Sequence, residues 1–221
     1  MASVTISASY GARGEQIAKA VAARLGLTFL DRAIPLEVAR QLQLSQESAE
    51  SIDERAPTRG ERFVTALAAA GSVSTAPGVS QLPIQDPDVF RAAIEGILTS
   101  VADTTGAVIL GRAAMVVLGG RDDVLCVRLD GPVDARVAQA VADGADAATA
   151  RDAQRDVDGA RNQYANFFYR QRQDDPRLYH LIIDSTALPV ESCVDLIVRA
   201  AEARIGSRAA STTPPAVSDD R

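Results

Sequence analysis

The chain contains no tryptophan, and aromatic residues make up only 4% of its 221 positions. Its core must therefore be built mainly from alanine, valine, leucine and isoleucine. There is one histidine, His180, and the two cysteines, Cys126 and Cys193, do not form a C-x-x-C pair. A metal site of histidine and cysteine is therefore not expected. Both cysteines are predicted to be reduced, buried residues of a cytoplasmic protein.

Positive charge is carried almost entirely by arginine, because Lys19 is the only lysine. The formal net charge is -6, and no basic stripe typical of nucleic-acid binding is present. The N-terminus lacks the features of a signal peptide, and no apolar run is long enough to span a membrane. We therefore expect no nucleic-acid or membrane partner, and we expect anions to be bound by arginine side chains and backbone N–H groups.

Short apolar runs alternate with helical patterns along the chain. Five strands are predicted, in the segments 4–7, 27–32, 106–112, 124–130 and 179–184. Helices are predicted over 15–25, after a cap at Asp88, from Pro132 as a first helical residue, over 147–173, and after Pro189. Near-continuous apolar strands separated by helices indicate a parallel sheet covered on both faces. We therefore predict a three-layer α/β fold.

Residues 8–15, ASYGARGE, form a glycine-bearing turn between the first strand and the first helix. This layout is typical of a phosphate-binding loop, in which backbone N–H groups and a helix N-terminus hold phosphate oxygens. The usual frame is G-x-x-x-x-G-K-[ST]. Here Ala8 and Arg13 replace its two glycines, Gly14 replaces its lysine, and Glu15 replaces its hydroxyl residue. In isolation, the turn is equally compatible with an ordinary strand-to-helix connection.

Polar residues and glycine follow three of the predicted strands. Gly11, Asp31, Arg32 and Arg112 all fall at the carboxyl ends of strands. Ligands of open parallel sheets bind at that edge. The sequence therefore predicts a ligand site there.

Four segments, in this order and spacing, resemble the cytidylate kinase-like family, a branch of the P-loop nucleoside monophosphate kinases. They are TISASYGARGEQIAKAVAARLGLTFLDR, VILGRAAMVVL, DVDGARNQYANFFY and YHLIIDST. The resemblance implies a single domain over 1–205 with a five-stranded parallel core of P-loop NTPase type. It also implies a helical insert that binds the monophosphate at 33–105 and a lid at 140–177. Residues 206–221 have no periodicity and are predicted to be a disordered tail.

The resemblance implies transfer of the ATP γ-phosphate to CMP or a related nucleoside monophosphate, with ATP and Mg²⁺ as cofactors and small-molecule nucleotides as partners. Gly11, Ala12, Arg13, Gly14 and Glu15 match the loop that binds the ATP phosphates.

The acceptor nucleotide is expected to contact Asp31, Arg32 and Arg112, the last through a bidentate grip on its phosphate. Arg13 and the lid residues Arg155 and Arg161 are the expected catalytic arginines. Asp158 lies three residues before Arg161 and can orient it.

Two alternatives stay open. The missing lysine and Glu15 favour a protein that keeps the nucleotide pocket, has lost transfer activity, and acts through a protein partner; the retained arginines argue against it. Dinucleotide binding is the other alternative, because Asp31 lies about 20 residues after the glycine turn, where a ribose-binding acid is expected. No G-x-G-x-x-G motif is present to support it.

Overall fold

The structure is a computed structural model and describes residues 2–30 and 87–211. The predicted acceptor residues Asp31 and Arg32, and most of the insert predicted at 33–105, lie outside the described residues.

A parallel sheet forms the centre of the molecule, as predicted. Its strands are β1 (Ser3–Ala8), β2 (Thr28–Leu30), β3 (Ala107–Leu110), β4 (Val124–Asp130) and β5 (Leu181–Asp184). The spatial order is β2-β3-β1-β4-β5, and every neighbouring pair is parallel. In register, Ala8 pairs with Leu129, so β1 and β4 end side by side.

Helices connect the strands. They are α1 (Gly14–Leu25), α2 (Pro87–Thr104), α3 (Ala114–Val117), α4 (Val133–Ala142), α5 (Ala150–Tyr169) and α6 (Val190–Ser211), with a 3₁₀ turn at Pro176–Leu178. We refer to α5, which lies within the segment 140–177 predicted to be a lid, as the lid helix.

Two helix boundaries differ from the sequence-based expectation. Pro132 precedes the first helical residue of α4 with an extended ψ of 137°, rather than being that residue. Helix α6 continues to Ser211, past position 206, where the tail was predicted to begin. Residues 212–221 lie outside the described ranges.

Apolar residues at helical spacing place helices on both faces of the sheet. On one face α1 and α6 bury side chains that include Ile17, Val21 and Ile197. On the other face α2, α3 and the lid helix bury a second cluster that includes Leu98 and Phe168. The three-layer prediction is therefore confirmed for the described residues. Both cysteines are free and buried, as expected.

Helix α1 begins directly after the turn that follows β1, and it ends at Gly26. Gly26 has φ 65°, and its N–H group contacts the carbonyls of Ala22 and Ala23, which closes the helix. Because β1 ends at Ala8 and α1 begins at Gly14, the turn between them lies at the carboxyl edge of the sheet. Among the helices of residues 2–30 and 87–211, none combines the length and the apolar character needed to cross a bilayer.

Candidate functional site

The connection between β1 and α1 is a tightly curled loop. Gly11 and Arg13 both adopt left-handed conformations, with φ 74° and φ 52°. Such a conformation costs an ordinary residue about 1–2 kcal/mol, so the surrounding contacts must hold Arg13 in place. A Cβ atom on Gly11 would lie 2.0 Å from the carbonyl oxygen of Arg136, and only glycine fits there.

Several N–H groups of this loop point to no acceptor in the part of the chain that the structure describes. They belong to Gly11, Arg13 and Gly14. The Tyr10 N–H group instead donates to Asp158 Oδ1 at 2.7 Å, while the carbonyl of Ala12 accepts from Ser185 Oγ at 3.0 Å. A curled loop with open N–H groups that leads into a helix N-terminus is the arrangement that binds phosphate oxygens.

Gly14 is the first residue of α1 and is buried against the end of β1. An ideal Cβ atom at this position would lie 2.3 Å from the Cβ atom of Ala8 and 3.5 Å from Leu110 Cδ1. No side chain can be added at position 14 without a shift of Ala8.

The two charged residues at the helix start are each engaged in an ion pair. Arg13 donates from Nε and Nη2 to the carboxylate of Asp143, both at 2.7 Å. The Arg13 hydrogen bonds lower the pKa of Asp143, against a smaller effect of burial. Glu15 is exposed and pairs with Lys19 at 2.6 Å. Lys19 lies on the surface, as its position off the apolar face of the helix predicts.

A cavity of about 280 Å³ lies between the ends of β1 and β4 and the lid helix. Its walls are mostly polar: Ala8, Ser9, Arg128, Asp130, Arg136, Gln154, Asp158, Arg161, Asn162, Gln173 and Asp174. Three arginines and three aspartates face it, so its formal charge is balanced. An anion that enters the cavity must therefore compete with these carboxylates for contact with the arginines.

Arg136 connects the loop, the start of α4 and the lid helix. It is only 4% exposed. Its Nη1 atom donates to the Tyr10 carbonyl at 2.7 Å and to Asp158 Oδ2 at 2.9 Å, and its Nε atom donates to the Gly131 carbonyl at 2.9 Å. Asp158 also accepts from the Tyr10 N–H group. Arg136 and Asp158 therefore bind both the carbonyl and the N–H group of the Tyr10 backbone.

Arg128 extends from β4 into the same cavity. It donates to Ser9 Oγ at 2.9 Å, to the Gln173 carbonyl at 3.0 Å, and to Asp130 Oδ2 at 2.7 Å and 3.0 Å. Burial opposes ionisation of Asp130, but the charge and hydrogen bonds of Arg128 outweigh it and hold the pKa of that carboxyl below its usual range. Both groups are therefore charged at neutral pH.

The lid helix presents one face to the loop. On that face, Arg161 donates from Nη1 to the Ala8 carbonyl and lies 3.9 Å from Asp158, while Gln154 donates to Asp158 at 2.9 Å. The structure thus brings Arg161 and Asp158 to the loop. It does not bring Arg155 there, because Arg155 is exposed, pairs with Asp152, and does not line the cavity.

Arg112 follows β3, as predicted, within three successive left-handed residues. Gly111, Arg112 and Ala113 have φ values of 80°, 58° and 51°. Such strain in ordinary residues is found mainly where a site requires it. Burial raises the pKa of Tyr164 on the lid helix to about 12, and the charge of Arg112 opposes that rise. Arg112 is therefore near enough to Tyr164 for its charge to act there, and it does not line the cavity.

The expected cofactors can be compared with these residues. The open N–H groups of the loop, together with the arginines of the cavity that begins at Ala8 and Ser9, suit a chain of phosphates. Within the described ranges, no group of three or more His, Cys, Asp or Glu residues could hold a metal ion. The described residues therefore suit a nucleotide phosphate but do not form a site for a resident metal.

The parallel sheet, the loop at its carboxyl edge and the lid helix define a kinase-type α/β protein of the P-loop class. Residues 3–187 match the cytidylate kinase-like family, and the chain belongs to that family.

Solved structures share the fold. An uncharacterized protein from Eubacterium ventriosum ATCC 27560 is 16% identical with a TM-score of 0.64, over 91% of this chain and 99% of that chain. A gluconokinase from Sinorhizobium meliloti 1021 is 13% identical with a TM-score of 0.50, over 96% of this chain and 98% of that chain. At these identities the likeness is one of fold. A search of the curated proteins gave no significant match.

Proposed function

We propose that this protein is a cytoplasmic nucleotide kinase of the cytidylate kinase type, which transfers the γ-phosphate of ATP to CMP or a related nucleoside monophosphate. The observation that carries the proposal is the contact between the lid helix and the loop. Arg161 and Asp158 contact the backbone of Ala8 and Tyr10, beside N–H groups with no described acceptor.

In this proposal the loop binds the donor phosphates through the N–H groups of Gly11, Arg13 and Gly14. Arg161 supplies positive charge from the lid helix, where a lysine of the loop would ordinarily supply it. Phosphoryl transfer requires positioning and charge neutralisation, with no covalent nucleophile from the protein. A closed lid helix excludes the water that would otherwise accept the phosphate. Mg²⁺, arriving with the nucleotide, would neutralise phosphate charge.

The acceptor phosphate is assigned to Arg112, at the end of β3. Its guanidinium group is suited to a bidentate contact with a phosphate, and its backbone is held in a strained conformation. Asp31 and Arg32 remain predictions for the same acceptor.

A second candidate function is nucleotide binding without transfer, with a protein partner as the target. Three observations favour it. Gly14 leaves the loop without its lysine, Arg13 is paired with Asp143, and the Asp158 carboxylate already occupies the Tyr10 N–H group. An incoming phosphate must compete with that carboxylate.

Phosphorus NMR distinguishes the two functions. The pure protein is incubated with ATP, Mg²⁺ and each of CMP, dCMP, UMP, AMP and GMP. ADP together with a matching nucleoside diphosphate would establish transfer and identify the acceptor. ADP with no diphosphate product would indicate hydrolysis only. No turnover, with ATP binding retained in calorimetry, would favour the second function.

A matched pair of variants identifies the contribution of the lid helix. Arg161→Ala is expected to abolish most of the turnover. Arg151→Ala removes an arginine from the same helix that is exposed and pairs with Asp134, and it should leave turnover unchanged. Equal activity of the two variants would contradict the proposed role of Arg161.

A further inference from the structure

Three peptide units of the loop between β1 and α1 are held by side chains from other elements. In a planar trans peptide the carbonyl and the N–H group point in opposite directions. A hydrogen bond that fixes the carbonyl therefore also fixes the direction of the N–H group. The first such unit joins Tyr10 to Gly11. Its carbonyl accepts from Arg136 at 2.7 Å, so the N–H group of Gly11 points away from that arginine.

Ser185 fixes the peptide unit that joins Ala12 to Arg13. It directly follows β5, is only 2% exposed, and donates from Oγ to the Ala12 carbonyl at 3.0 Å. The N–H group of Arg13 lies at the other end of this peptide and has no acceptor among residues 2–30 and 87–211. Arg13 has a left-handed φ of 52°, which an ordinary residue avoids unless a contact holds it. The Ser185 hydrogen bond therefore directs an open N–H group away from β5.

Ser185 is itself held in place at the ends of two strands. Its N–H group donates to the carbonyl of Asp130, the last residue of β4, at 3.0 Å. The turn after β5 is closed by Asp184 Oδ1, which accepts from the N–H group of Thr186 at 2.9 Å and from its hydroxyl at 2.6 Å. A group keeps its direction when its supporting residue is fixed in this way. Ser185 therefore ties the position of the loop to that of the sheet.

We propose that Ser185 is a positioning residue of the donor-phosphate site, which holds the Ala12 carbonyl so that the Arg13 N–H group faces a bound phosphate. This inference rests on the proposed function, in which the loop binds nucleotide phosphates. Ser185 acts through the peptide between Ala12 and Arg13 and does not itself contact the nucleotide. Without the hydroxyl, the N–H group is no longer oriented in advance, and binding must include the cost of ordering it.

Gln139 of α4 provides a matched control, because it makes the same kind of contact one peptide unit earlier. Its Nε2 atom donates to the Gly11 carbonyl at 2.8 Å. The N–H group of that peptide belongs to Ala12, and it already donates to the Ser9 carbonyl at 3.2 Å. Loss of the Gln139 side chain therefore loosens the loop but misdirects no N–H group that is open to a phosphate.

Backbone NMR of the unmodified protein with inorganic tripolyphosphate tests the direction of the N–H groups. The Arg13 amide proton should move downfield on binding, because a new hydrogen bond to phosphate deshields it. The Ala12 amide proton should move much less, since it stays bonded to the Ser9 carbonyl. A shift at Ala12 equal to that at Arg13, or no shift at Arg13, would overturn the inference.

Calorimetry with tripolyphosphate and with ATP tests the contribution of the hydroxyl group. We expect Ser185→Ala to weaken the binding of both about tenfold, because a charge-assisted hydrogen bond to phosphate loses its alignment. Gln139→Ala should weaken the binding of both by less than about threefold. Equal losses from the two variants, or no loss from Ser185→Ala, would refute the role of Ser185.

A third variant separates the hydrogen bond from the packing of the buried side chain. Ser185→Cys keeps a side chain of similar size, but its thiol is only a weak donor. This variant should bind tripolyphosphate almost as weakly as Ser185→Ala, while its melting temperature stays closer to that of the unmodified protein. Full affinity of Ser185→Cys would show that only the size of the side chain matters, and the inference would fail.

The same measurements separate this inference from the proposed function. If Ser185→Ala weakens tripolyphosphate binding and Gln139→Ala does not, but no acceptor is phosphorylated, the positioning role stands and the transfer proposal fails. If the unmodified protein transfers phosphate but the two variants bind tripolyphosphate equally well, the transfer proposal stands and the positioning role is refuted.

Discussion

Replacing Arg136 by alanine is expected to destabilise the protein strongly, although this residue lies outside the sequence motifs. Arg136 is 4% exposed and makes three hydrogen bonds, to the Tyr10 and Gly131 carbonyls and to the Asp158 carboxylate. Its Nε atom also lies 3.3 Å from Asp130. Alanine would leave all four oxygen acceptors without this partner.

The magnitude follows from the surroundings of these acceptors. Removing one member of a buried ion pair typically costs about 3–5 kcal/mol, because the remaining charge has lost its partner. The side chain of Asp158 is 19% exposed, and the adjacent cavity admits water, so the lower end of the range applies. A loss of about 3 kcal/mol corresponds to a fall of about 6–12 °C in melting temperature for a chain of this size.

Thermal and urea unfolding of three variants provide the assay. Arg151→Ala removes an exposed arginine and should change the free energy of unfolding by less than about 0.5 kcal/mol. Arg136→Lys keeps the charge but cannot make the forked set of contacts, and it should fall between the other two. If Arg136→Ala is no more destabilising than Arg151→Ala, the contacts assigned to Arg136 do not hold the loop.

Changes at three further residues have defined expected outcomes. Arg112→Gly should relieve about 1 kcal/mol of left-handed strain, so the melting temperature should not fall, while calorimetry shows loss of CMP binding; retained affinity would refute the acceptor assignment. Glu15→Ser removes an exposed pair with Lys19 and should alter stability by less than about 0.5 kcal/mol, whereas Glu15→Lys should strengthen ATP binding; weaker binding or unfolding would contradict the loop geometry. Burial lowers the pKa of His180, whose Nδ1 accepts from the Cys126 N–H group at 2.9 Å. The stability that the neutral His180 ring contributes should therefore be complete above about pH 6.5 and be lost as the pH falls through its lower folded pKa. The prediction is refuted if the urea midpoints of the unmodified protein and of His180→Phe fall in parallel as the pH is lowered.

The sequence predicted the sheet, the first turn and helix α1 well. The reason is physical, since parallel strands covered on both faces must be continuously apolar, and α1 buries a regular stripe. The lid helix was predicted as a helix, but the sequence did not predict which of its residues point towards the cavity. Its charges alternate, and each successive residue turns by about 100°, so Arg155 points away while its neighbour Gln154 lines the cavity.

Arg128 and Arg136 were missed for a different reason. Arg128 interrupts an apolar strand, a local signal that could have marked it. Its partners cannot be found locally, because Ser9 lies 119 positions away along the chain and Gln173 lies 45 positions away. Arg136 similarly reaches Tyr10 across 126 positions. Contacts of this kind depend on how distant elements meet, which residue patterns along a single segment do not encode.

The absence of tryptophan gives the protein a useful optical property. Its intrinsic fluorescence comes from four tyrosines, and all of them lie on or near the lid and the loop. Tyr10 belongs to the loop, Tyr164 and Tyr169 to the lid helix, and the Tyr179 ring lies 5.9 Å from the Arg128 guanidinium group. The native emission therefore offers a test, without any added label, of the lid movement that the proposed function requires, and distant parts of the fold contribute no background to it.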